Sequence, residues 1–321
     1  MQRMRICAGI VIAATAMLAH AQAWPDHPVK MILSQPPGSG PDVVARILGD
    51  RLAKSWGQAV VIENRPGGQN MVGAQAAARS PADGYTFYFA TTAALVTNAY
   101  LFKSLTYDPQ KDFAPVGFVG KSPFAILVRA DSPIKSLDDL LAKAKAEPGK
   151  WTLANEGPKT FSGMIGRLFA SRAKVDLTLV PYVNIGVAVQ NVLGGHTDAV
   201  VADIASTAQF VKQGQLRMLA VTSAGRVAGF EDVAPLSERF PGFDMVGWFA
   251  IVAPAGTPAA AIQRFNRELD AALRDKDVAE RIHAAGPVTD GAGTPEQLAS
   301  FLRAEHERWG VITREIGVLH E

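Results

Sequence analysis

Cysteine is almost absent from this sequence, because Cys7 is the only one among 321 residues. It lies at the start of an apolar N-terminal segment, away from the cleavage point predicted below, so it is not placed for lipid modification. One cysteine excludes an intramolecular disulfide, and removal of the N-terminal segment would leave no thiolate to bind a metal. The fold must therefore rest on its apolar residues, which make up 48% of the chain, beside 19% charged ones. This balance is typical of an ordered globular protein. The chain is long enough for one large domain or two medium ones.

An excess of one charge is missing too. The formal net charge is +2, and no basic or acidic block interrupts the chain. If the N-terminal Arg3 and Arg5 are removed, the 32 basic residues fall to 30 and equal the 30 acidic ones. Nucleic acid is recognised by clustered basic residues, so we expect no nucleic-acid partner.

The motifs of common enzyme classes are also missing. There is no G-x-S-x-G elbow, and none of the six histidines has H-E-x-x-H spacing. "GSGPDV" begins like a dinucleotide fingerprint but lacks its third glycine. "GKS" at 120–122 has Pro115 where a phosphate-binding loop needs glycine, so we interpret it as a turn at a strand end. We therefore expect no catalytic residue and no bound metal.

The N-terminus has the pattern of a secretory signal peptide. Arg3 and Arg5 precede the apolar run "ICAGIVIAATAML", and Ala21 and Ala23 supply the small residues of a cleavage site. The run is too short to span a membrane comfortably. We predict that residues 1–23 are removed, with Ala21 as the alternative cleavage point, and that the mature protein is exported to the periplasm.

The remainder alternates apolar runs of strand length with segments of helical periodicity. One such segment follows the first strand, where an apolar stripe predicts a helix with Val44, Leu48, Leu52 and Trp56 on one face. The predicted strands are 29–34, 59–64, 85–90, 124–130, 151–155, 177–182, 198–203, 216–222 and 247–256. Strands that alternate with helices indicate an α/β fold with mostly parallel sheets flanked by helices. The rhythm is interrupted near 105–123 and 223–245. This predicts a first lobe of 24–124 with 223–321, a second lobe of 125–222, and a cleft between them.

Three helix starts carry cap signals. Ser136 with Asp139 three residues later predicts a helix cap. Thr294, followed by Pro295 and Gln297, predicts a capping box. Thr257 before Pro258 predicts a third cap of this kind.

The segment "SQPPGSGPDVVAR", residues 34–46, joins the first strand to the first helix. Ligands of open α/β sheets bind beyond the carboxyl ends of strands, and a glycine-rich helix entrance can hold an anion with its N–H groups. The loops 90–98, 155–163 and 182–186 fall at equivalent strand ends. Two interpretations remain open for the first segment: an anion cradle, or a stretch whose prolines and glycines only turn the chain.

Several stretches together resemble the periplasmic solute-binding receptors of tripartite tricarboxylate transporters, the Bug proteins. They are "PVKMILSQPPGSGPDVVARIL", "GQAVVIENRPGGQNMVGA", "ADGYTFYFATTA", "YDPQKDFAPVGFVG", "VPY", "LGGHTDAVVADIAS", "GQLRMLAVTS" and "WFAIVAPAGTP". The resemblance implies a two-lobed periplasmic-binding-protein (Venus flytrap) fold that closes over a small carboxylate without a cofactor. It also implies that backbone N–H groups, hydroxyls and water hold the carboxylate.

The resemblance and the strand-end loops together name the candidate binding residues. They are Gln35, Gly38, Ser39, Gly40, Pro41, Asp42, Thr91, Thr92, Asn155, Ser162, Tyr182, Asn184 and Asp203. We expect Asp42 to cap or orient its loop, since a carboxylate would repel an anionic ligand.

The sequence also departs from the family pattern. Pro41 stands where the family usually has threonine, and Gly163 where it has histidine. Val183 and Asn184 replace a usual Lys-Gly, and a common acidic residue is Ala202, with Asp203 beside it. These changes bear on the identity of the ligand.

We therefore predict a monomeric periplasmic receptor that delivers a small organic anion to membrane transporter subunits. The alternative is a sensor subunit that reports its ligand to a membrane signalling protein, because both functions need the same closing cleft. A secreted enzyme is disfavoured, since no general base or nucleophile was identified.

Overall fold

The computed structural model describes residues 24–318, and the predicted signal peptide lies outside them. Within this range the strands are β1 Val29–Leu33, β2 Val60–Asn64, β3 Thr86–Thr91, β4 Phe113–Arg129, β5 Thr152–Asn155, β6 Thr178–Pro181, β7 Ala199–Asp203, β8 Leu216–Val221 and β9 Val246–Pro254. The helices are α1 Gly40–Trp56, α2 Met71–Ala78, α3 Asn98–Leu101, α4 Leu137–Ala146, α5 Phe161–Ala173, α6 Ile185–Leu193, α7 Ile204–Lys212, α8 Leu236–Arg239, α9 Ala259–Arg274, α10 Lys276–Ala284 and α11 Pro295–Glu315. A 3-10 turn, Gly68–Asn70, precedes α2, and a π-helical segment, Ala93–Thr97, precedes α3.

The strands form two groups joined through β4. The order is β2-β1-β3-β9-β4-β7-β5-β6, and β8 also pairs with β4. In the first group β9 runs against β1, β2, β3 and β4; in the second, β4 runs against β5, β6, β7 and β8. In each group, four strands therefore run in the same direction and one strand runs antiparallel to them. This confirms the two-lobed α/β fold with mostly parallel sheets.

The long strand β4 corrects one prediction. Residues 113–123 pair with β9, and 124–129 pair with β7 and β8. The predicted turn at 120–122 is therefore wrong, because these residues lie inside the strand. Two register shifts, at 115–117 and 118–120, absorb the local proline and glycines. Gly120 is needed there, since a Cβ would lie 2.8 Å from the carbonyl oxygen of Val288.

Helices cover the sheets with their apolar faces. The predicted stripe of α1 buries Val44, Leu48 and Leu52 completely, against a cluster that includes Phe265 and Leu269 of α9. The C-terminal helices thus pack on the same sheet as the first helix. Burial of large apolar side chains contributes about 1.5–3 kcal/mol each, which makes these contacts the main source of stability.

The cap predictions are confirmed at two helices and wrong at a third. Both capping boxes form, at Ser136 and at Thr294. Thr257 does not cap α9, because Pro258 occupies the cap position and the Thr257 hydroxyl donates to the carbonyl of Pro254 at 2.7 Å. Residues 254–257 form a turn before the helix, and the Thr257 hydroxyl is hydrogen-bonded within that turn.

Helix α11 contacts both sheet groups. Its Trp309 is fully buried, with its ring 5.6 Å from that of Phe161 at the start of α5. Near its C-terminus Glu315 accepts two hydrogen bonds from the guanidinium of Arg172 on α5, one of them at 2.9 Å. Helix α11 therefore ties the two groups together beside the strand that they share.

Candidate functional site

A cleft of about 1140 Å³ lies between the two sheet groups. Its walls are the segments that follow β1, β3, β5, β6 and β7, together with residues of β4 and β9 where the groups meet. This is the carboxyl-end position at which α/β sheets bind ligands. Near the rim, a Cβ on Gly286 would lie 2.0 Å from that of Ala205. The two walls are thus in contact at that point.

Most of the predicted binding residues line this cleft. Those that do are Gln35, Gly38, Ser39, Gly40, Pro41, Thr91, Thr92, Asn184 and Asp203. The others, Asp42, Asn155, Ser162 and Tyr182, are not part of its lining. Their hydrogen bonds go to the loops that form the walls.

Asp42 holds the first loop from beneath. It is 2% exposed, and its carboxylate accepts hydrogen bonds from the Gly38 amide at 2.8 Å, Arg46 Nε at 2.9 Å and Asn64 Nδ2 at 2.8 Å. Burial alone would raise the pKa of Asp42, but the bonds from Arg46, Asn64 and Gly38 outweigh it and lower the pKa. Asp42 therefore fixes the loop from the protein side.

This arrangement limits what the first loop can offer an anion. The Gly38 N–H is taken by Asp42, and the Ser39 hydroxyl donates to the carbonyl of Pro36 at 2.8 Å. Pro41 has no N–H. Because the first N–H groups of a helix lack intrahelical partners, the remaining donors are those of Gly40 and Asp42 at the start of α1. Gly38 adopts a φ of +80°, which favours glycine.

Three buried polar atoms in the wall beside this loop lack a hydrogen-bond partner within residues 24–318. They are the hydroxyls of Thr91 and Thr97 and the amide oxygen of Gln35, and all three residues line the cleft. Thr92 differs, since its hydroxyl accepts a hydrogen bond from the Trp248 amide at 2.9 Å. Buried polar groups normally have partners, so this wall is suited to a polar ligand. Thr97 was missed by the sequence reasoning, although it falls within loop 90–98.

The opposite wall is a loop of residues 156–160 that its neighbours hold in place. Asn155 Oδ1 accepts from the Gly157 amide at 2.8 Å, and Ser162 Oγ accepts from the Glu156 amide at 3.0 Å. The Tyr182 amide donates to the Asn155 carbonyl at 2.8 Å. Asn155, Ser162 and Tyr182 thus position this loop.

Three charged side chains line the described cleft: Glu156, Lys159 and Asp203. Asp203 caps α7, with its two oxygens accepting from the Ser206 amide at 2.8 Å and the Ser206 hydroxyl at 2.6 Å. Lys159 Nζ lies 5.0 Å from the ring centre of Phe102, the residue that follows α3. Glu156 and Lys159 were also missed by the sequence reasoning. The signal was the charged pair in "NEGPKT" directly after a buried strand.

Burial, and next the negative charge of Asp203, raises the pKa of Glu156 above its usual 4.5. The folded protein thus keeps this proton to higher pH than the unfolded chain, and stability falls as pH rises from about 4.5 through the folded pKa.

We expect Glu156→Gln to remove that penalty. The melting temperature should rise at pH 8, by roughly 2 °C for each kcal/mol recovered, and remain unchanged at pH 4. Thermal melts over this pH range, with the exposed Glu307→Gln as control, test it. A lower melting temperature at pH 8 would contradict the assignment.

A cleft walled by strand ends of two α/β lobes defines a solute-binding protein of the two-lobed class. The chain belongs to the tripartite tricarboxylate transporter receptor family, whose model matches residues 44–318. This family consists of periplasmic solute-binding receptors, not enzymes. Among residues 24–318, no helix is long and apolar enough to cross a membrane.

Named relatives agree with this membership. The chain is 35% identical to the protein BugT of Bordetella pertussis over 99% of its own length and 98% of BugT. It superposes on an R. palustris protein, Rpa4515, solved with adipate, at a TM-score of 0.84 and 27% identity, covering 92% of this chain and 99% of the other. For MatC of Rhodopseudomonas palustris with bound malate, the TM-score is 0.79 and the identity 27%, with coverage of 90% and 99%.

Proposed function

We propose that this protein captures a small organic carboxylate in the cleft and delivers it to a membrane transporter of the tripartite tricarboxylate type. The observation that carries the proposal is that the hydroxyls of Thr91 and Thr97, which have no hydrogen-bond partner within residues 24–318, line the same cleft as the start of α1. Hydroxyls and helix N-terminal N–H groups are donors, which a carboxylate requires. Similar receptors are described with adipate and with malate.

We further propose the boundaries, location and state of this receptor. The lobes are 24–124 with 223–321, and 125–222, supported by the change of β4 partners between Pro123 and Phe124. Membership of a periplasmic family supports export after removal of residues 1–23. The ligand then closes the cleft as a hinge, and the receptor acts as a monomer.

Thr97→Val tests the site without loss of packing. A hydrogen bond to a charged group contributes about 1.5–3 kcal/mol, so we expect Kd to rise about 10- to 100-fold, with Thr91→Val giving a similar loss. Stability of the unliganded protein should be kept, because the lost hydroxyl has no partner within residues 24–318. Titration calorimetry with the carboxylate that native mass spectrometry identifies in the purified protein measures the effect.

The matched control is Thr197→Val, which also removes a buried hydroxyl without a described partner but lies outside the cleft lining. Its affinity should equal that of the parent. Equal affinity of the Thr91 and Thr97 variants and this control would contradict the proposed site. Uptake of the same ligand by vesicles that contain the transporter subunits, only when receptor is added, tests delivery.

A further inference from the structure

The charges of the cleft are distributed unevenly between its walls. Among the described residues, the wall around α1 and the threonine hydroxyls has no charged side chain in its lining, whereas the opposite wall has Glu156, Lys159 and Asp203. The first wall suits a carboxylate, as proposed above. The second carries two negative charges and one positive charge. A ligand that spans the cleft therefore meets different chemistry at its two ends.

We propose that this receptor selects carboxylates whose far end bears an amine or another hydrogen-bond donor, over dicarboxylates, and that Glu156 and Asp203 recognise this donor. The inference rests on the proposed function, since it takes the carboxylate end to lie at the first wall.

The two acidic side chains keep capacity to accept such a donor. Each carboxylate has about four lone-pair sites. Asp203 uses two on Ser206. Within residues 24–318, Glu156 accepts a long contact of 3.4 Å from the Ser162 hydroxyl and a backbone bond from Ile185. A donor group of the ligand would fill the remaining acceptor sites of both carboxylates. A cationic amine would also offset the repulsion between them.

A second ligand carboxylate would meet the opposite effect. Glu156 and Asp203 line the same wall, and like charges in a partly desolvated cleft repel one another. The negative charge of Asp203 raises the pKa of Glu156, second to the effect of burial. Among residues 24–318, Lys159 is the one cationic residue of the lining, and its charge would favour a dicarboxylate. Its ammonium lies 5.0 Å from the ring centre of Phe102, in a cation–π contact that directs it to the aromatic ring.

Calorimetry with matched ligand pairs tests the preference. The pairs are succinate with 4-aminobutyrate, glutarate with 5-aminopentanoate, and adipate with 6-aminohexanoate. In the pair that binds best, we expect the amino compound to bind at least tenfold more tightly, about 1.4 kcal/mol. Glu156→Gln keeps the size and the backbone bond from the Glu156 amide to Ser162, and Asp203→Asn keeps the size and one acceptor for the Ser206 amide. Each variant should reduce this ratio at least threefold. The exposed Glu147→Gln on the same lobe should leave it unchanged.

The outcomes separate the two proposals. If the wild-type protein binds the dicarboxylate at least as tightly as the matching amino compound, this inference is overturned and the proposed carboxylate receptor is retained. If Lys159→Met then loses dicarboxylate binding, recognition of the second carboxylate is assigned to Lys159. A preference for the amino compound that both variants retain in full overturns the roles of Glu156 and Asp203. Binding of none of the six compounds contradicts the proposed function and this inference with it.

Discussion

Glu305→Ala should lower the free energy of unfolding by about 3–5 kcal/mol, because it leaves buried polar groups without their shared acceptor. Glu305 is 7% exposed. Its Oε2 accepts from Trp248 Nε1 at 2.8 Å and Trp309 Nε1 at 3.3 Å, and its Oε1 accepts from Arg308 Nε at 2.8 Å. Trp248 belongs to β9 and lines the cleft, so ligand affinity should fall as well.

Urea denaturation followed by circular dichroism measures this effect. Glu305→Gln keeps an acceptor oxygen and should cost clearly less, and the neighbouring exposed Glu307→Ala should cost under about 0.5 kcal/mol. If Glu305→Ala costs no more than Glu307→Ala, the buried network contributes nothing and α11 is held by its apolar contacts alone.

Gly163→Ala should disrupt the charged wall of the cleft. A Cβ on Gly163 would lie 1.9 Å from the carbonyl oxygen of Gly157, a backbone atom that can yield only if loop 156–160 moves. Overpacking of this kind costs about 1–3 kcal/mol, and the displaced loop carries Glu156 and Lys159. We expect a loss of stability in that range and at least a tenfold loss of ligand affinity.

Gly166→Ala on the same helix is the matched control. Its Cβ would meet only the side-chain ends of Leu179 and Leu153, at 3.3 and 3.4 Å, and alanine is favoured over glycine inside helices. Stability should therefore change by about 1 kcal/mol or less. Paired urea titrations and calorimetry compare the variants. A Gly163→Ala protein that binds and unfolds like Gly166→Ala would show that the loop adapts freely.

The sequence alone predicted features that depend on neighbouring residues. The strand and helix order, the apolar stripe of α1 and the caps at Ser136 and Thr294 come from periodicities and contacts within a few residues. The position of the cleft at the strand ends follows from the parallel alternation itself. The family resemblance of quoted stretches along the mature chain predicted the receptor class, which the family match confirms.

Features set by contacts between distant residues needed the tertiary structure. Strand β4 was interpreted as a turn at 120–122, because its prolines and glycines break the local pattern, whereas pairing with β9 and the approach of Val288 hold it extended. Local propensity is outweighed wherever a long-range hydrogen bond or close packing is stronger.

The same division applies to the candidate site. The sequence placed Thr91, Asn184 and Asp203 at strand ends, and the structure brings them into one cleft. It could not show that Asp42 binds the Gly38 amide, nor that Glu156 and Asp203, 47 positions apart in the chain, line the same cleft. The charge that a ligand meets is the sum over several loops, and only the folded chain brings those loops into one cleft.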